Sequence, residues 1–450
     1  MIIMQFKKIF IAFIFIACQS SLFAQNTAEN KVWTLKECVD YALENNISIK
    51  QSELDKLNQY QDVKNARGNF LPNLNASASQ SFNFGSSIDA TGSRVSADYR
   101  SNNYSLNSNL VLFDGFANIY TLNQAQINVA VQEANITKMK NDISLNVVNA
   151  YLQVLFAKEQ IKIAQFQVDI STTEVDRITS LVDAGLAPKG DLLNIKATLG
   201  SDEQTLIDAQ NNFDMATLRL AQLLQLPEGT IAIEEIELKD PNNSIIANES
   251  TVIYEKAAIS FPEIKAAELT IESAEKGVKI SKANYLPSLS FNYSLSTVYQ
   301  HRQGYPDFFP HNEQLDNNLG HFLGLSLNIP IFNRFQFRTS VTRAEINMER
   351  AKNNLESEKL RLRESVQIAY TDAKSASKSF EASKKSVEAQ NEAFKYAQER
   401  FQVGNMNAFD FNQTKNRLFT AESQLLRSKY DYTFKLKVLE FYYGVPFVAE

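Results

Sequence analysis

The stretch LSFNYSLS, residues 289–296, alternates apolar and small polar side chains at every position. Successive side chains of a β-strand point to opposite faces of the sheet, so the large apolar residues would share one face and Ser and Asn the other. This two-sided pattern is typical of a strand that has lipid on one face and water on the other. The segment therefore predicts a membrane-spanning β-strand.

The chain contains four stretches of this kind, Leu74–Phe84, Tyr104–Phe113, Leu289–Tyr299 and Leu323–Ile329. Four strands are too few to close a barrel, because the smallest transmembrane barrels use about eight. The open edges of such a sheet cannot face hydrocarbon, where their backbone groups would have no hydrogen-bond partners. We therefore expect several copies of the chain to share one barrel, and the strand count leaves two, three or more copies open.

The start of the chain has the layout of a secretory signal peptide. Lys7 and Lys8 precede the apolar run Ile9–Ala17, and Leu22-Phe23-Ala24 offers a cleavage site. This predicts a signal peptide over residues 1–24. Lipidation of Cys18 is the alternative, although the residues before it match a lipidation site poorly. No run of about 18 apolar residues follows, so we expect no membrane-spanning helix.

Net charge and cysteine content disfavour nucleic-acid binding and an intrachain disulfide. The net charge of −6 disfavours nucleic acid as a partner and fits a solvated periplasmic surface. Cys38 is the only cysteine after the predicted signal peptide, so no intrachain disulfide is expected.

The three histidines, His301, His311 and His321, all fall between the third and fourth predicted strands. They suggest either a metal site at the outer mouth or an ordinary surface loop. We favour the loop because a spacing of about ten residues fixes no coordination geometry. No nucleophile motif accompanies these histidines, so we expect neither an enzyme nor a cofactor.

The chain also contains an internal repeat, since NFLPNL at 69–74 recurs as NYLPSL at 284–289. Later positions recur in the same order: Phe113 and Phe332, Ala150-Tyr151 and Ala369-Tyr370, Gly185 and Gly404, and Asp191 and Asp410. The chain thus consists of two structural repeats, and each repeat contains a helix, a β-hairpin and a long helical hairpin. We predict a first repeat over 25–230 (β-hairpin 71–113, helical hairpin 116–226), a linker or equatorial segment over 231–248, and a second repeat over 249–447 (β-hairpin 286–332, helical hairpin 335–443).

Each repeat contains a very long predicted helix. Neither Gly nor Pro occurs over 116–184 or over 331–403, so nothing in the sequence breaks a helix there. About 60 helical residues would form a rod on the order of 90 Å long, too long for one compact domain. Apolar residues in both segments recur at spacings of three and four, a seam typical of coiled-coil packing. They are Ile136, Met139, Ile143, Val147, Ala150, Val154, Ala157, Ile161, Ala164 and Val168, then Leu355, Leu362, Val366, Ala369, Ala373, Ala376, Phe380 and Val387.

Gly185 and Gly404 mark the predicted ends of the long helices. Glycine adopts the conformation past a helix terminus that other residues reach only at a cost. We expect the chain to turn there and to re-enter a helix near Asp191 or Asp410, whose side chains can cap exposed amides and oppose the helix dipole.

The order of these motifs resembles the TolC-like outer-membrane factor family over nearly the whole mature chain. The motifs are Leu-Pro before each hairpin, LFDG at 112–115, PIF at 330–332, Ala-Tyr at 150 and 369, and Gly followed by Asp at both turns. The resemblance implies a mainly α protein with transmembrane β: a homotrimer with a shared twelve-stranded β-barrel in the outer membrane and a long antiparallel α-helical barrel in the periplasm. It also implies an exit duct for a tripartite efflux pump or type I secretion system, working with a periplasmic adaptor and an inner-membrane transporter.

The resemblance also implies roles at the periplasmic aperture. Asp410 matches an aspartate of the constriction, where three copies would favour cations. A helix N-cap is the alternative role of Asp410, and for Asp191 we favour capping and inter-helix contact. The chain departs from the family pattern at Phe401, Met406 and Gln413, where relatives have a tyrosine, an arginine and a second aspartate.

The polar lock of those relatives therefore cannot be transferred to this chain. We expect closure to depend on packing of Phe401, Met406 and Phe409, with Arg400 as a substitute polar partner. The competing class is a structural or adhesive coiled-coil protein of the cell surface, which would explain the long helices but not the paired strands. Within the channel class, drug, metal and protein substrates are not distinguished by the sequence.

Overall fold

The computed structural model describes residues 32–88, 90–96, 98–226, 231–235, 246, 249–304 and 306–445. The predicted signal peptide with Cys18 lies outside the described residues, as do parts of the predicted linker 231–248 and the end of the second repeat. The elements follow along the chain as β1 (Val32–Trp33), α1 (Leu35–Asn45), α2 (Ile47–Gly68), β2 (Asn75–Asn83), β3 (Ser86–Ile88), β4 (Arg94–Ser96), β5 (Tyr99–Phe113), α3 (Ala117–Asp183), α4 (Lys189–Leu223), β6 (Ala232–Ile233), α5 (Ser250–Ser260), α6 (Pro262–Ala283), β7 (Ser288–Arg302), α7 (His311–Asn317), β8 (Gly320–Asn328), α8 (Gln336–Gln402) and α9 (Ala408–Tyr443).

The four predicted strands form one antiparallel sheet in the order β2-β5-β7-β8. Cross-strand partners share a face, and Leu106 pairs with Leu295 while Asn107 pairs with Ser294. One face is therefore mainly apolar and the other consists mainly of Ser and Asn, as the alternation predicted. Within the described residues, β2 and β8 each pair with one strand of this sheet, so both of its edges are open.

Two elements in the inter-strand loops were not expected from the sequence. The first loop extends into the small β3-β4 hairpin, and the second contains the short helix α7. The second loop packs against β7, where the Thr297 hydroxyl donates to the Leu315 carbonyl at 2.6 Å. The Asn318 amide donates to the Val298 carbonyl, also at 2.6 Å.

The long helices α3 and α8 each contain 67 residues, about 100 Å at 1.5 Å per residue. Near the sheet, the helices pack in the order α2-α3-α6-α8. Near the far end, they pack in the order α4-α3-α9-α8. The Gln124 amide, for example, donates to the Ser273 carbonyl between α3 and α6. In the part of the chain that the structure describes, no helix is both long and apolar enough to span a bilayer.

The predicted apolar seams lie in the helix interfaces. The fully buried members are Ile136, Ile143, Val147, Val154, Ala157 and Ala164 in α3, and Leu362, Val366, Ala369, Ala373, Ala376 and Phe380 in α8. The other predicted members are half-buried. The helices therefore pack along the stripe that the spacing of three and four predicted.

The Ala-Tyr motif of each repeat holds the segment that joins the repeats. The buried Tyr151 hydroxyl shares its one hydrogen between the Glu234 carbonyl at 3.0 Å, just after β6, and the Trp33 carbonyl at 3.3 Å, in the paired strand β1. The Tyr370 hydroxyl donates in the same way to the Ile246 carbonyl. Burial raises the pKa of the Tyr151 hydroxyl above its ordinary value, so it stays protonated and keeps both hydrogen bonds.

The junction between sheet and long helix is a left-handed turn in both repeats. Phe116 has φ +71° and its counterpart Phe335 has φ +64°, a conformation that is strained for bulky residues. Gly115 before the first of them also has positive φ, and a Cβ there would lie 2.5 Å from the Ala283 carbonyl oxygen. The glycine of the LFDG motif is therefore required by close packing against the end of α6.

Candidate functional site at the tips of the helical hairpins

Both helical hairpins turn at the predicted glycines. Gly185 has φ +74° and Gly404 has φ +78°. In the first turn the Leu186 amide donates to the Leu181 carbonyl at 2.7 Å, and the Gly185 amide donates to Val182. The second turn repeats this pattern, with the Asn405 amide donating to the Arg400 carbonyl at 2.8 Å. These are the bonds of a Schellman motif, in which left-handed glycine ends a helix.

Neither aspartate of the tips is a helix N-cap, which corrects that role for Asp191 and Asp410. The cap of α9 is Asn407, whose side-chain oxygen accepts from the Asp410 amide at 2.8 Å. The cap position of α4 is Pro188, which makes no side-chain cap bond. Both aspartates lie in the first turn, where a carboxylate still opposes the positive end of the helix dipole.

An apolar cluster joins all four helices just behind the turns. Phe401 is 5% exposed and stacks on Phe411 with ring centroids 4.4 Å apart, and half-buried Met406 packs against the same cluster. Phe409 is 76% exposed and is not a member of this cluster. Within one chain, Phe409 therefore does not pack with Phe401 and Met406, and its part in closure of the aperture stays a prediction.

Arg177 of α3 adds a polar contact to this cluster. Its guanidinium lies 4.1 Å from the centroid of the Phe401 ring, within the range of a cation–π interaction. Its Nε also pairs with Glu174 Oε2 at 2.9 Å. The Arg177 guanidinium therefore connects the first helical hairpin to Phe401 of the second.

A buried charged network lies one helical turn further in. Lys415 of α9 is 1% exposed, and its Nζ lies 2.8 Å from Oδ2 of Asp202 in α4, which is 4% exposed. Ser171 of α3 accepts from Lys415 and donates to Asp202, and Gln167 donates to the other oxygen of Asp202 at 2.6 Å. The network thus connects three helices and both repeats.

The remaining predicted tip residues lie at the surface. Asp191, Phe409 and Gln413 line a groove of about 990 Å³ between α4, α8 and α9. The lining is rich in Asn and Gln. Arg400 donates from Nη2 to the Asn405 carbonyl at 3.3 Å and so supports its own turn. The structure thus brings Asp191 and Gln413 to one groove, whereas the hydrogen bond of Arg400 lies within its own turn.

Sequence analysis missed Arg177 and the network of Lys415. A signal was available for Lys415, because Phe411 and Leu418 place it on the apolar stripe of its helix. The partners of Lys415 were not accessible in this way, since they are more than 200 residues away along the chain.

The histidines lie away from the tips, around the second inter-strand loop. His301 Nδ1 lies 2.7 Å from Asp307, and His321 Nδ1 lies 3.1 Å from the Tyr293 hydroxyl. Among the described residues, no group of three or more His, Cys, Asp or Glu side chains is placed to hold a metal ion.

Comparison with known proteins places this architecture in a family. The family model described as outer membrane efflux protein matches residues 38–225 and 253–445, which include both repeats. The chain belongs to the outer membrane efflux protein family. This membership confirms the predicted family, the outer-membrane location and the role as an exit duct.

Individual proteins that this chain is similar to are distant in sequence. Outer membrane protein TolC of Escherichia coli K12 is 22% identical over 389 residues, 86% of this chain and 77% of that protein. The alkaline protease secretion protein AprF of Pseudomonas aeruginosa is 20% identical over 263 residues, 58% of this chain and 53% of that protein. A crystal structure of CusC, a transmembrane channel protein, superposes with a TM-score of 0.77 at 17% identity, covering 94% of this chain and 96% of that one. The mainly helical fold with its four-stranded sheet is therefore shared with CusC.

Proposed function

We propose that three copies of the chain form one continuous duct, with a shared twelve-stranded barrel in the outer membrane and a helical tunnel in the periplasm. The observation that supports this most directly is a two-faced sheet with two open edges. Head-to-tail pairing of β8 with β2 of a neighbouring copy would leave no strand edge in hydrocarbon. Two copies would supply eight strands and three would supply twelve, and the family resemblance favours three.

The helical part supports the same ring. Near the tips the order of contacts is α4-α3-α9-α8, so within the described chain α4 and α8 each have one of these helices as neighbour. Each can therefore pack against the next copy, as the sheet edges do. Three such units would give a tunnel of twelve helices, with polar groups available to face the water inside.

The duct conducts passively and is gated at the hairpin tips. We propose that the cluster of Phe401 and Met406, with Arg177, holds the aperture in its narrow state. A periplasmic adaptor and an inner-membrane transporter would open it and supply the substrate. Asp410, exposed in the first turn of α9, would then contribute one carboxylate per copy to the aperture.

A pair of neighbouring substitutions tests the channel against the adhesive alternative. Leu325→Arg places a charge on the apolar face of β8, whereas Ser326→Arg places it on the polar face. A charge facing lipid at mid-bilayer destabilises a barrel by about 2–4 kcal/mol, while a lumenal charge is tolerated. We expect Leu325→Arg to abolish membrane assembly and Ser326→Arg to assemble with altered conductance in planar bilayers. Equal tolerance of both substitutions, or no current from the purified wild-type protein, would contradict the proposal.

A further inference from the structure

The polar face of the sheet is nearly uncharged. Its cross-strand pairs include Ser77 with Ser105, Asn107 with Ser294, and Asn109 with Asn292. The Ser294 hydroxyl donates to the Asn107 side-chain oxygen at 2.7 Å. Among the paired positions of this face, a charged side chain is reached only at Arg302, at the loop end of β7. The face therefore offers hydrogen bonds but gives ions no specific partner.

Two aromatic residues occupy paired positions of this face, Tyr99 at the loop end of β5 and Phe322 within β8. The cross-strand partner of Phe322 is Ser294, and Phe322 is 61% exposed. Its ring lies beside Gly324, two residues further along the same face, where a Cβ would be 2.8 Å from Cζ and 2.9 Å from Cε1. Any larger residue at Gly324 would displace the ring. One edge of the ring therefore lies beside the glycine, and the rest of the ring is exposed and can contact a solute.

We propose that Phe322 is a stacking subsite for uncharged, hydroxylated ring solutes such as glycosides inside the barrel. An aromatic face contacts the apolar face of a ring, while the surrounding hydroxyl and amide groups satisfy its polar rim. The absence of charge on this face up to Arg302 disfavours ions as the preferred occupant. The inference rests on the proposed function, because it requires the polar face to line a water-filled lumen.

The test uses the assembled full-length protein and 4-nitrophenyl β-glucoside as the probe, with sorbitol as a hydroxylated solute that has no ring. Saturation-transfer NMR gives the apparent Kd of the probe. Phe322→Ala should raise that Kd about two- to tenfold, the range expected for loss of one aromatic contact. Phe322→Tyr and Phe322→Trp should restore binding. Phe82→Ala is the matched control, because Phe82 is 58% exposed but lies on the apolar face. The saturation-transfer signal of sorbitol should be the same in the wild-type protein and in all of these variants.

Cysteine labelling separates failure of the subsite from failure of the channel. In reconstituted vesicles, Ser294→Cys should react with a water-soluble thiol reagent and the neighbouring Leu295→Cys should not. The native Cys38 is fully buried and contributes little background. If Ser294→Cys reacts as expected while Phe322→Ala leaves the Kd of the probe unchanged, the stacking subsite is refuted. The proposal that the polar face lines a water-filled channel is then still supported. If Leu295→Cys reacts as fast as Ser294→Cys, the lumenal assignment itself is wrong and the subsite falls with it.

Discussion

Removal of the Lys415 ammonium is the most informative single perturbation of the helical tunnel. Lys415→Met keeps most of the side-chain volume but leaves the Asp202 carboxylate buried with only Ser171 and Gln167 as partners. Breaking a buried ion pair by removing one partner costs about 3–5 kcal/mol, because the remaining charge is uncompensated. We therefore expect the contact between α9 and the first helical hairpin to open far more often near this residue.

Hydrogen exchange measures this local opening directly. A loss of 3–5 kcal/mol corresponds to exchange about 150- to 4500-fold faster in the amides of α9 around Lys415. Lys415→Met combined with Asp202→Leu removes both charges and should restore most of the protection, since apolar replacement of a buried pair is often neutral. Lys437→Met is the matched control in the same helix, where the ion pair with Glu440 is partly exposed and worth at most about 1 kcal/mol.

Two results would refute this reasoning. Unchanged protection around residue 415 in Lys415→Met would mean that the ion pair contributes nothing to holding α9 in place. A double variant no better protected than the single variant would show that lost packing, rather than an unpaired charge, caused the effect.

Three further predictions concern the aperture and the outer loop. Asp410→Asn should lower cation selectivity and weaken block by multivalent cations in planar bilayers, and unchanged selectivity would place this side chain off the pore axis. Phe401→Ala with Met406→Ala removes a buried aromatic stack and should increase uptake of large antibiotics by cells; unchanged uptake would exclude both from the gate. Hydrogen bonds from His301 and Tyr299 hold the pKa of the Asp307 carboxyl below its ordinary value of 3.8. The carboxylate therefore stabilises the loop above that value, and pepsin cleavage of the loop should rise as the pH falls below it, but not in Asp307→Asn.

Features with a local period were predictable from the sequence. The faces of β7 follow from strict alternation, and the long helices follow from uninterrupted segments with apolar residues at spacings of three and four. Gly185 and Gly404 were identified because few residues other than glycine tolerate the left-handed conformation past a helix end. In these cases the residue type and its near neighbours carry the whole physical reason.

Features that depend on a helix boundary or on distant contacts were not predictable. Asp410 is not an N-cap, because the helix begins at Ala408 and the cap therefore falls on Asn407. Exposure of Phe409 depends on how α9 is rotated against three other helices. The partners of Lys415 come from α3 and α4, and no local pattern joins those positions.

The uninterrupted course of α3 and α8 makes each of them a lever. Tyr151 fastens the middle of α3 to the segment that joins the repeats. The helix runs about 50 Å from this residue to the turn at Gly185. A rotation of about 10° at that fulcrum moves the far end sideways by about 9 Å, over the same length of stiff rod. A small rotation of the helix near Tyr151 therefore produces a large change in the width of the aperture at the hairpin tips.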